Sequence, residues 1–175
     1  MPLAWTSPFQ NFYWVVPKKF LAGPYPSSGN LKDVRLKVNE LMGLGVTSFL
    51  DLTEPGEKGL NSYAPILNEG QMEWGAVEYH RMPIADFDIP TFEIMEQILS
   101  IINKAMNDGK VLYVHCFAGI GRTGTVIGCY LAERGFRGEE SLLELDRLHK
   151  GTRFEGAISI LTMDQLNFVK NWNRG

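Results

Sequence analysis

A chain of 175 residues with 45% hydrophobic and 21% charged residues can bury one sizeable core, and its composition is that of an ordinary globular domain. The net charge of -3, with no block of Lys or Arg, gives no footprint for nucleic acid or an acidic membrane surface, and no apolar run reaches the ~18 residues that mark a membrane span. Two cysteines are too few for a disulfide framework, a reactive thiol needs reducing surroundings, and residues 1–8 lack the regions of a secretory signal, so a cytoplasmic location is expected.

No linker, low-complexity tract or internal repeat breaks residues 1–175, which are expected to form a single domain. Phe12–Val16 and Phe20–Ala22 read as short strands separated by Pro17, and residues 23–29 as a loop by their turn chemistry. Leu31, Val34, Val38, Leu41 and Met42 recur at helical spacing over residues 31–44, and Gly45 ends that helix. Val46–Leu52 is a strand, and Thr53–Gly59, with Pro55 and Gly56, a polar loop. Residues 60–68 carry a helical pattern interrupted by Pro65. Ala76–Met82 is the next strand and Pro83–Pro90 a loop bounded by two prolines. Residues 91–107 form a helix with Glu93 and Glu96 early, Lys104 late and Gly109 just beyond it. Val111–His115 is a continuous apolar strand, as in the middle of a parallel sheet. Helical patterns follow over 122–134, 139–149 and 157–171. This order predicts an α/β fold with a short, mostly parallel central sheet flanked by helices.

In such a sheet, strands 46–52, 76–82 and 111–115 end at one edge, where ligands bind. The loop after the last strand is Cys116-Phe117-Ala118-Gly119-Ile120-Gly121-Arg122, and a helix starts there. The helix N-terminus favours an anion, and Gly119 and Gly121 let the backbone curl so that its N–H groups converge on one. The same field favours the thiolate form of Cys116, the form that attacks. Arg122 can grip two phosphate oxygens at once, which Lys could not. Thr123 can donate its hydroxyl to the sulfur, and His115 is expected to fix Cys116 through ring hydrogen bonds rather than act as a base. Together these residues point to phosphoryl transfer to sulfur. Gly119-Ile-Gly121-Arg-Thr-Gly124 also fits the dinucleotide pattern, but that needs an acidic residue about 20 positions on at a strand end; Glu139 and Glu140 instead open a helix. A core cysteine with an incidental arginine is the plain structural alternative.

His115-Cys116-Phe-Ala-Gly-Ile-Gly-Arg122-Thr123-Gly-Thr125 resembles the signature of the cysteine-dependent protein tyrosine phosphatases. Size and single-domain organisation resemble its small atypical dual-specificity group, and the likeness extends to Asn11-Phe-Tyr-Trp-Val-Val-Pro17 and to Asp86-Phe87. Ala118-Gly-Ile-Gly121 is also similar to the tyrosine-specific enzymes. The resemblance implies a tyrosine phosphatase-like fold and one catalytic domain over 1–175. It also implies hydrolysis of phosphotyrosine, and of phosphoserine or phosphothreonine, on proteins through a phosphocysteine.

Such an ester needs a proton on its leaving oxygen, and a positioned carboxylic acid contributes about 10²–10⁴-fold. The loop 83–90 offers Asp86 and Asp88. Family members carry the acid in a mobile Trp-Pro-Asp-Phe-Gly-x-Pro loop, onto which Asp86-Phe87 and Pro90 align, so Asp86 comes first; Asp88 is also placed to cap the helix starting near Thr91. Ile84-Ala85 stands where Trp-Pro would, a departure that bears on how the loop hinges. By resemblance, Glu54 is a candidate to hold Arg122, and Gln165 a candidate to position the water of the second step. Arg122 and the loop amides supply charge stabilisation without a metal, and three His and two Cys make no metal-ligand pattern, so no cofactor is expected.

Cys129 lies about two turns past the loop, roughly 10 Å or more away, and reads as core. His80 and His149 have no partner pattern. Phe12, Tyr13 and Trp14 read as core or wall, and Tyr25 and Tyr63 as candidates for the pocket rim. A phosphoprotein is the expected partner, not nucleic acid or a membrane, and the chain is expected to act as a monomer. The alternative is the same chemistry on an inositide, a nucleotide or an RNA end. Lipid-directed relatives place Lys inside the five-residue loop, and Phe117–Gly121 has none. A non-catalytic phosphoprotein-binding module would have lost the nucleophile or the acid, yet Cys116, Arg122 and Asp86 are all present.

Overall fold

The computed structural model describes residues 12–27, 30–156 and 159–172, with backbone alone at 70–74. Asn11 and residues 1–8, Ser28, Gly29 and the start of the helix expected from 157 lie outside the described residues. Strands β1 (Tyr13–Val16), β2 (Phe20–Gly23), β3 (Val46–Asp51), β4 (Glu78–Arg81) and β5 (Val111–His115) form one sheet in the order β1-β2-β5-β3-β4. β1 and β2 pair antiparallel, and the other pairings are parallel. The most apolar strand, β5, is therefore central, as its unbroken hydrophobic run predicts.

Helices α1 (Leu31–Gly43) and α2 (Ala64–Trp74) cover one face of the sheet; α3 (Phe92–Asn107), α4 (Gly121–Ala132), α5 (Glu139–Leu148) and α6 (Met163–Lys170) cover the other. Successive strand residues point to opposite faces. Leu50, Leu112 and Val114 thus pack with Ile98, Leu99, Ile127, Leu145 and Val169, while Phe49 and Tyr113 pack with Val34, Val38, Leu41 and Leu67. Each such side chain, fully buried, contributes about 1.5–3 kcal/mol. The α/β class and the short, mostly parallel sheet agree with the sequence pattern.

Several boundaries differ from it. The helix expected over 60–68 runs over Ala64–Trp74, with Pro65 in its first turn, where its missing N–H is harmless. The helix expected over 157–171 begins at Met163: Thr162 caps it by accepting from the Gln165 N–H at 3.1 Å, and residues 159–162 are irregular. Leu31, 63% exposed, lies off the buried face of α1. Asp88 does not cap α3; Thr91 does, through the Ile94 N–H, while Asp88 accepts from the Ile89 N–H at 2.8 Å. The polar loop 53–59 holds a short 3₁₀ turn at Glu57–Gly59.

Gly23, His115, Asp51 and Arg81 stand in one row across β2, β5, β3 and β4. This row is the carboxyl edge of the sheet, and every segment of the candidate site leaves from it or packs over it. Among the described residues no helix is long and apolar enough to cross a membrane.

Candidate active site

β5 delivers His115 and Cys116 to the carboxyl edge, and the chain turns through 117–120 into α4. That turn requires Gly119. Its φ is +75°, in the left-handed region, and a Cβ would stand 2.6 Å from the Pro24 nitrogen and 2.7 Å from the Gly23 oxygen. The Tyr25 N–H donates to the Phe117 carbonyl at 3.0 Å, and the Tyr113 hydroxyl to the Pro24 carbonyl at 2.6 Å, fixing this approach from below. Gly121, Arg122 and Thr123 open α4, and N–H groups in a helix's first turn lack intrahelical acceptors. The positive helix end is thus directed at the Cys116 loop.

Cys116 is buried, and it lines a cleft of about 50 Å³ with Lys58, Asp86, Phe87, Phe117, Ala118, Gly121, Arg122, Leu161 and Gln165. The structure therefore brings the expected nucleophile, anion-binding arginine and acid to one cavity. Ile120, in the loop itself, is partly buried and packs against the core.

Arg122 is 2% exposed. Its Nη1 and Nη2 donate to Glu57 Oε2 and Oε1 at 2.7 and 2.6 Å, and Nη1 also donates to the Ile84 carbonyl at 2.9 Å. Burial works against the guanidinium, but the Glu57 hydrogen bonds and the neighbouring Cys116, Glu57 and Asp86 outweigh it and hold Arg122 protonated. Burial likewise opposes ionisation of Glu57, and its bonds from Arg122 and the Glu54 N–H hold it below the usual carboxylate range. The carboxylate expected on Arg122 was Glu54. Instead Glu54 is exposed: the Glu57 N–H donates back to the Glu54 carbonyl at 3.2 Å, so the chain reverses and it is Glu57 that reaches Arg122.

Asp86 Oδ1 lies 3.1 Å from Arg122 Nη2, and Oδ2 lies 2.7 Å from Lys58 Nζ. Burial would raise its pKa, yet the Lys58 hydrogen bond and the Arg122 charge bring it below the ordinary value. Lys58 Nζ also sits 4.2 Å from the centre of the Phe117 ring and 5.8 Å from that of Phe87. One ammonium thus touches the 3₁₀ turn, the acid loop and the phosphate loop. Lys58 and Phe87 hold φ of +49° and +63°, strained for non-glycine residues, and both flank this cluster. Asp88 points away from it, exposed and bonded to its own loop.

His115 is fully buried, and burial lowers its pKa, leaving the ring neutral. Its Nδ1–H donates to the Cys116 carbonyl at 3.2 Å, so Nε2 accepts from the Tyr63 hydroxyl at 2.6 Å. Tyr25 and Tyr63, candidates for the rim, are buried around this ring at 5.2 and 5.4 Å. The Thr123 hydroxyl is buried and has no hydrogen-bond partner among the described residues.

Gln165 is fully buried at the cleft wall; its Nε2 donates to the Asp88 carbonyl at 3.1 Å and its Oε1 accepts from the Leu161 N–H at 3.2 Å. Cys129 is core, and burial raises its pKa. His149 is buried against Tyr13, and His80 pairs with Glu78 at 3.6 Å on the surface. Among the described residues no group of three or more His, Cys, Asp or Glu is arranged to hold a metal. Glu57, Lys58, Leu161 and the Ile84 carbonyl escaped sequence reasoning; the only signal for the first two was a second acidic residue, followed by a basic one, in the loop already suspected.

Residues 9–163 match the family described as "Swiss Army Knife protein, DSP-PTPase phosphatase domain". The mouse protein tyrosine phosphatase domain-containing protein 1 is 31% identical over 125 residues, covering 67% of this chain and 16% of the relative. The mouse dual specificity protein phosphatase CDC14A is 30% identical over 128 residues, covering 69% of this chain and 19% of the relative. The chain thus spans less than a fifth of either curated relative. The crystal structure of a mutant form of Tk-PTP superposes with a TM-score of 0.71 at 25% identity, over 94% of this chain and 95% of that one. With the Cys116 loop, the clamped arginine and the five-stranded sheet all in place, this chain belongs to the small atypical dual-specificity phosphatases of the cysteine-dependent protein tyrosine phosphatase superfamily.

Proposed function

We propose that the chain hydrolyses phosphate monoesters on proteins, phosphotyrosine first, through a phosphocysteine at Cys116. The observation that carries this reading is the meeting of Cys116, Arg122 and Asp86 in one cleft, with Arg122 already clamped by Glu57 and Ile84. A phosphoryl group there finds the α4 N-terminus and a fixed guanidinium on its oxygens, and pre-set charges of this kind stabilise a transition state most. The sulfur of Cys116 attacks phosphorus, the P–O ester bond breaks, and Asp86 gives its proton to the leaving oxygen. Asp86 then takes a proton from water, the water oxygen attacks phosphorus, and the S–P bond breaks to return the thiolate and inorganic phosphate. The backbone of residues 117–122 cradles the phosphoryl oxygens. A role for Thr123 as donor to the departing sulfur is supported by a buried hydroxyl committed to no other acceptor among the described residues. His115 acts through the Cys116 carbonyl, orienting the loop rather than moving a proton.

The rim favours an aromatic ester. Phe87 and Phe117 are 58% and 38% exposed at the cleft. Lys58 is the one ammonium among its described lining residues, and Asp86 already pairs with it, which leaves little positive charge for the extra phosphates of an inositide. PTPMT1, solved in complex with PI(5)P, shares the fold at a TM-score of 0.66 and 22% identity, so a lipid substrate is the competing case to test. Matched peptides bearing phosphotyrosine or phosphothreonine, together with a soluble phosphoinositide, separate the readings. Phosphotyrosine is expected to give the highest kcat/KM, Cys116→Ser to abolish turnover, and vanadate to compete. Equal turnover by Cys116→Ser would overturn the chemistry, and a preference for the inositide would overturn the substrate.

A further inference from the structure

The carbonyls of Ile84 and Asp88 flank Asp86, and each accepts a hydrogen bond from a side chain of another element. Arg122 of α4 holds the first at 2.9 Å, and Gln165 of α6 holds the second at 3.1 Å. Between them the loop carries Phe87 in the left-handed region at φ +63°, with its ring 58% exposed. Such a backbone persists only where its surroundings over-determine it. Within the loop, the Asp88 N–H donates to the Ala85 carbonyl at 3.1 Å, and the Asp86 and Asp88 carboxylates accept from the N–H next along the chain. These are local bonds that any position of the loop could keep. The two carbonyl anchors are what tie its ends to the helices.

Gln165 is built to anchor rather than to move. It is fully buried in the first turn of α6, with its backbone N–H on the Thr162 hydroxyl. Both ends of its amide are engaged on backbone, Oε1 from the Leu161 N–H and Nε2 to the Asp88 carbonyl. The amide lies against Gly121, where a Cβ would come within 3.0 Å of Oε1 and 3.2 Å of Nε2. The strand of chain that supplies Leu161 is itself fixed, since the Ser159 hydroxyl donates to Asp146 and meets His149 Nδ1.

We infer that Gln165 is a positioning residue for the first chemical step, its amide holding the acid loop so that Asp86 stands over Arg122. This role presupposes the phosphatase reading above, and it differs from the water-positioning role that family resemblance suggests for the second step. The two are separable because kcat/KM reports only events up to phosphorylation of Cys116, whereas kcat also senses hydrolysis of the phosphocysteine. A misplaced acid hurts poor leaving groups most, since good ones depart without a proton.

The test uses the full chain, Gln165→Glu and Gln165→Leu, and a series of aryl phosphates of graded leaving-group pKa. Gln165→Glu keeps the acceptor for Leu161 but loses the donor to Asp88; Gln165→Leu loses both, and urea melts establish that each variant is folded. In both variants kcat/KM on the poorest leaving groups is expected to fall about tenfold or more, steepening the leaving-group dependence. On the best it should change little. In an Asp86→Asn background the same substitutions should add little, because the group they position is gone. An unchanged kcat/KM with a lowered kcat and a burst of product would place Gln165 in the hydrolysis step alone. An equal loss for every leaving group would make it merely structural. Either outcome overturns the positioning role while leaving the phosphatase reading intact; wild-type protein inert toward every aryl phosphate would instead sink that reading.

Discussion

Glu57 and Arg122 face each other as a two-pronged pair, with both guanidinium nitrogens on the two carboxylate oxygens at 2.6 and 2.7 Å and side chains only 7% and 2% exposed. The planar fork of Arg is thereby locked before any phosphate arrives. Glu57→Gln should lower kcat/KM by about 10²-fold through a guanidinium free to tilt, and should weaken vanadate binding in parallel. Glu54→Gln, on the exposed side of the same loop, should stay within about twofold. Equal effects of the two substitutions on phosphatase kinetics would contradict the assignment.

The second prediction concerns pH. As the proposed acid, Asp86 must be protonated to donate, so the rate is expected to fall as pH rises through its pKa. Lys58 and Arg122 hold that pKa down against the effect of burial. Removing Lys58 raises it, so Lys58→Met should carry the alkaline limb of kcat/KM to higher pH on a phosphotyrosine peptide. Asp86→Asn should erase the limb and cost about 10²–10⁴-fold on the same substrate. A limb that does not move in Lys58→Met would belong to another group.

The third concerns the His115 ring beside Cys116. Tyr63→Phe removes the O–H that satisfies the buried Nε2 of His115, and an orphaned buried acceptor costs about 1–3 kcal/mol. Urea unfolding reads that loss. The pH dependence carries a sign as well. His115 and His149 are both held neutral by burial, with pKa values lowered from 6.5. Below that value the unfolded chain takes up protons that the folded one refuses, so stability should fall between pH 6.5 and 5. A flat profile across that window would mean that the rings accept protons in place.

Sequence alone placed β5, the Cys116 loop and α4 because one short stretch contains strand, turn and helix, and the two glycines state the shape of the turn. It also placed Asp86, which the neighbouring loop brings to the same edge. It misplaced the arginine's carboxylate because the choice between Glu54 and Glu57 depends on a chain reversal driven by a single backbone hydrogen bond, for which Pro55-Gly56 is only a general turn signal. It left Tyr25 and Tyr63 only as rim candidates because their burial comes from packing on each other and on His115 across long sequence separations, which no local pattern records. The last helix was started too early because the apolar residues before it, among them Ile160 and Leu161, belong to loop that packs on α4 rather than to a helical face.

Gly124 provides a fourth test. A Cβ on it would collide with the Ser159 carbonyl oxygen, so Gly124→Ala should cost about 1–3 kcal/mol by overpacking. Because the displaced segment leads directly to Leu161, the variant should also shift cleft geometry and lower vanadate affinity. Unchanged thermal stability and affinity would show that the contact yields freely.

The floor under the phosphate loop comes from far away in the chain. Gly23, Pro24 and Tyr25 press against Gly119 and hold Phe117, although more than ninety positions of sequence separate the two segments. The proposed nucleophile and the loop that follows it are therefore not a transplantable cassette. A grafted strand–loop–helix would carry every signature residue yet arrive without the scaffold that keeps it curled, and directed evolution of this enzyme should find adaptive changes near its amino-terminal hairpin as readily as beside the sulfur.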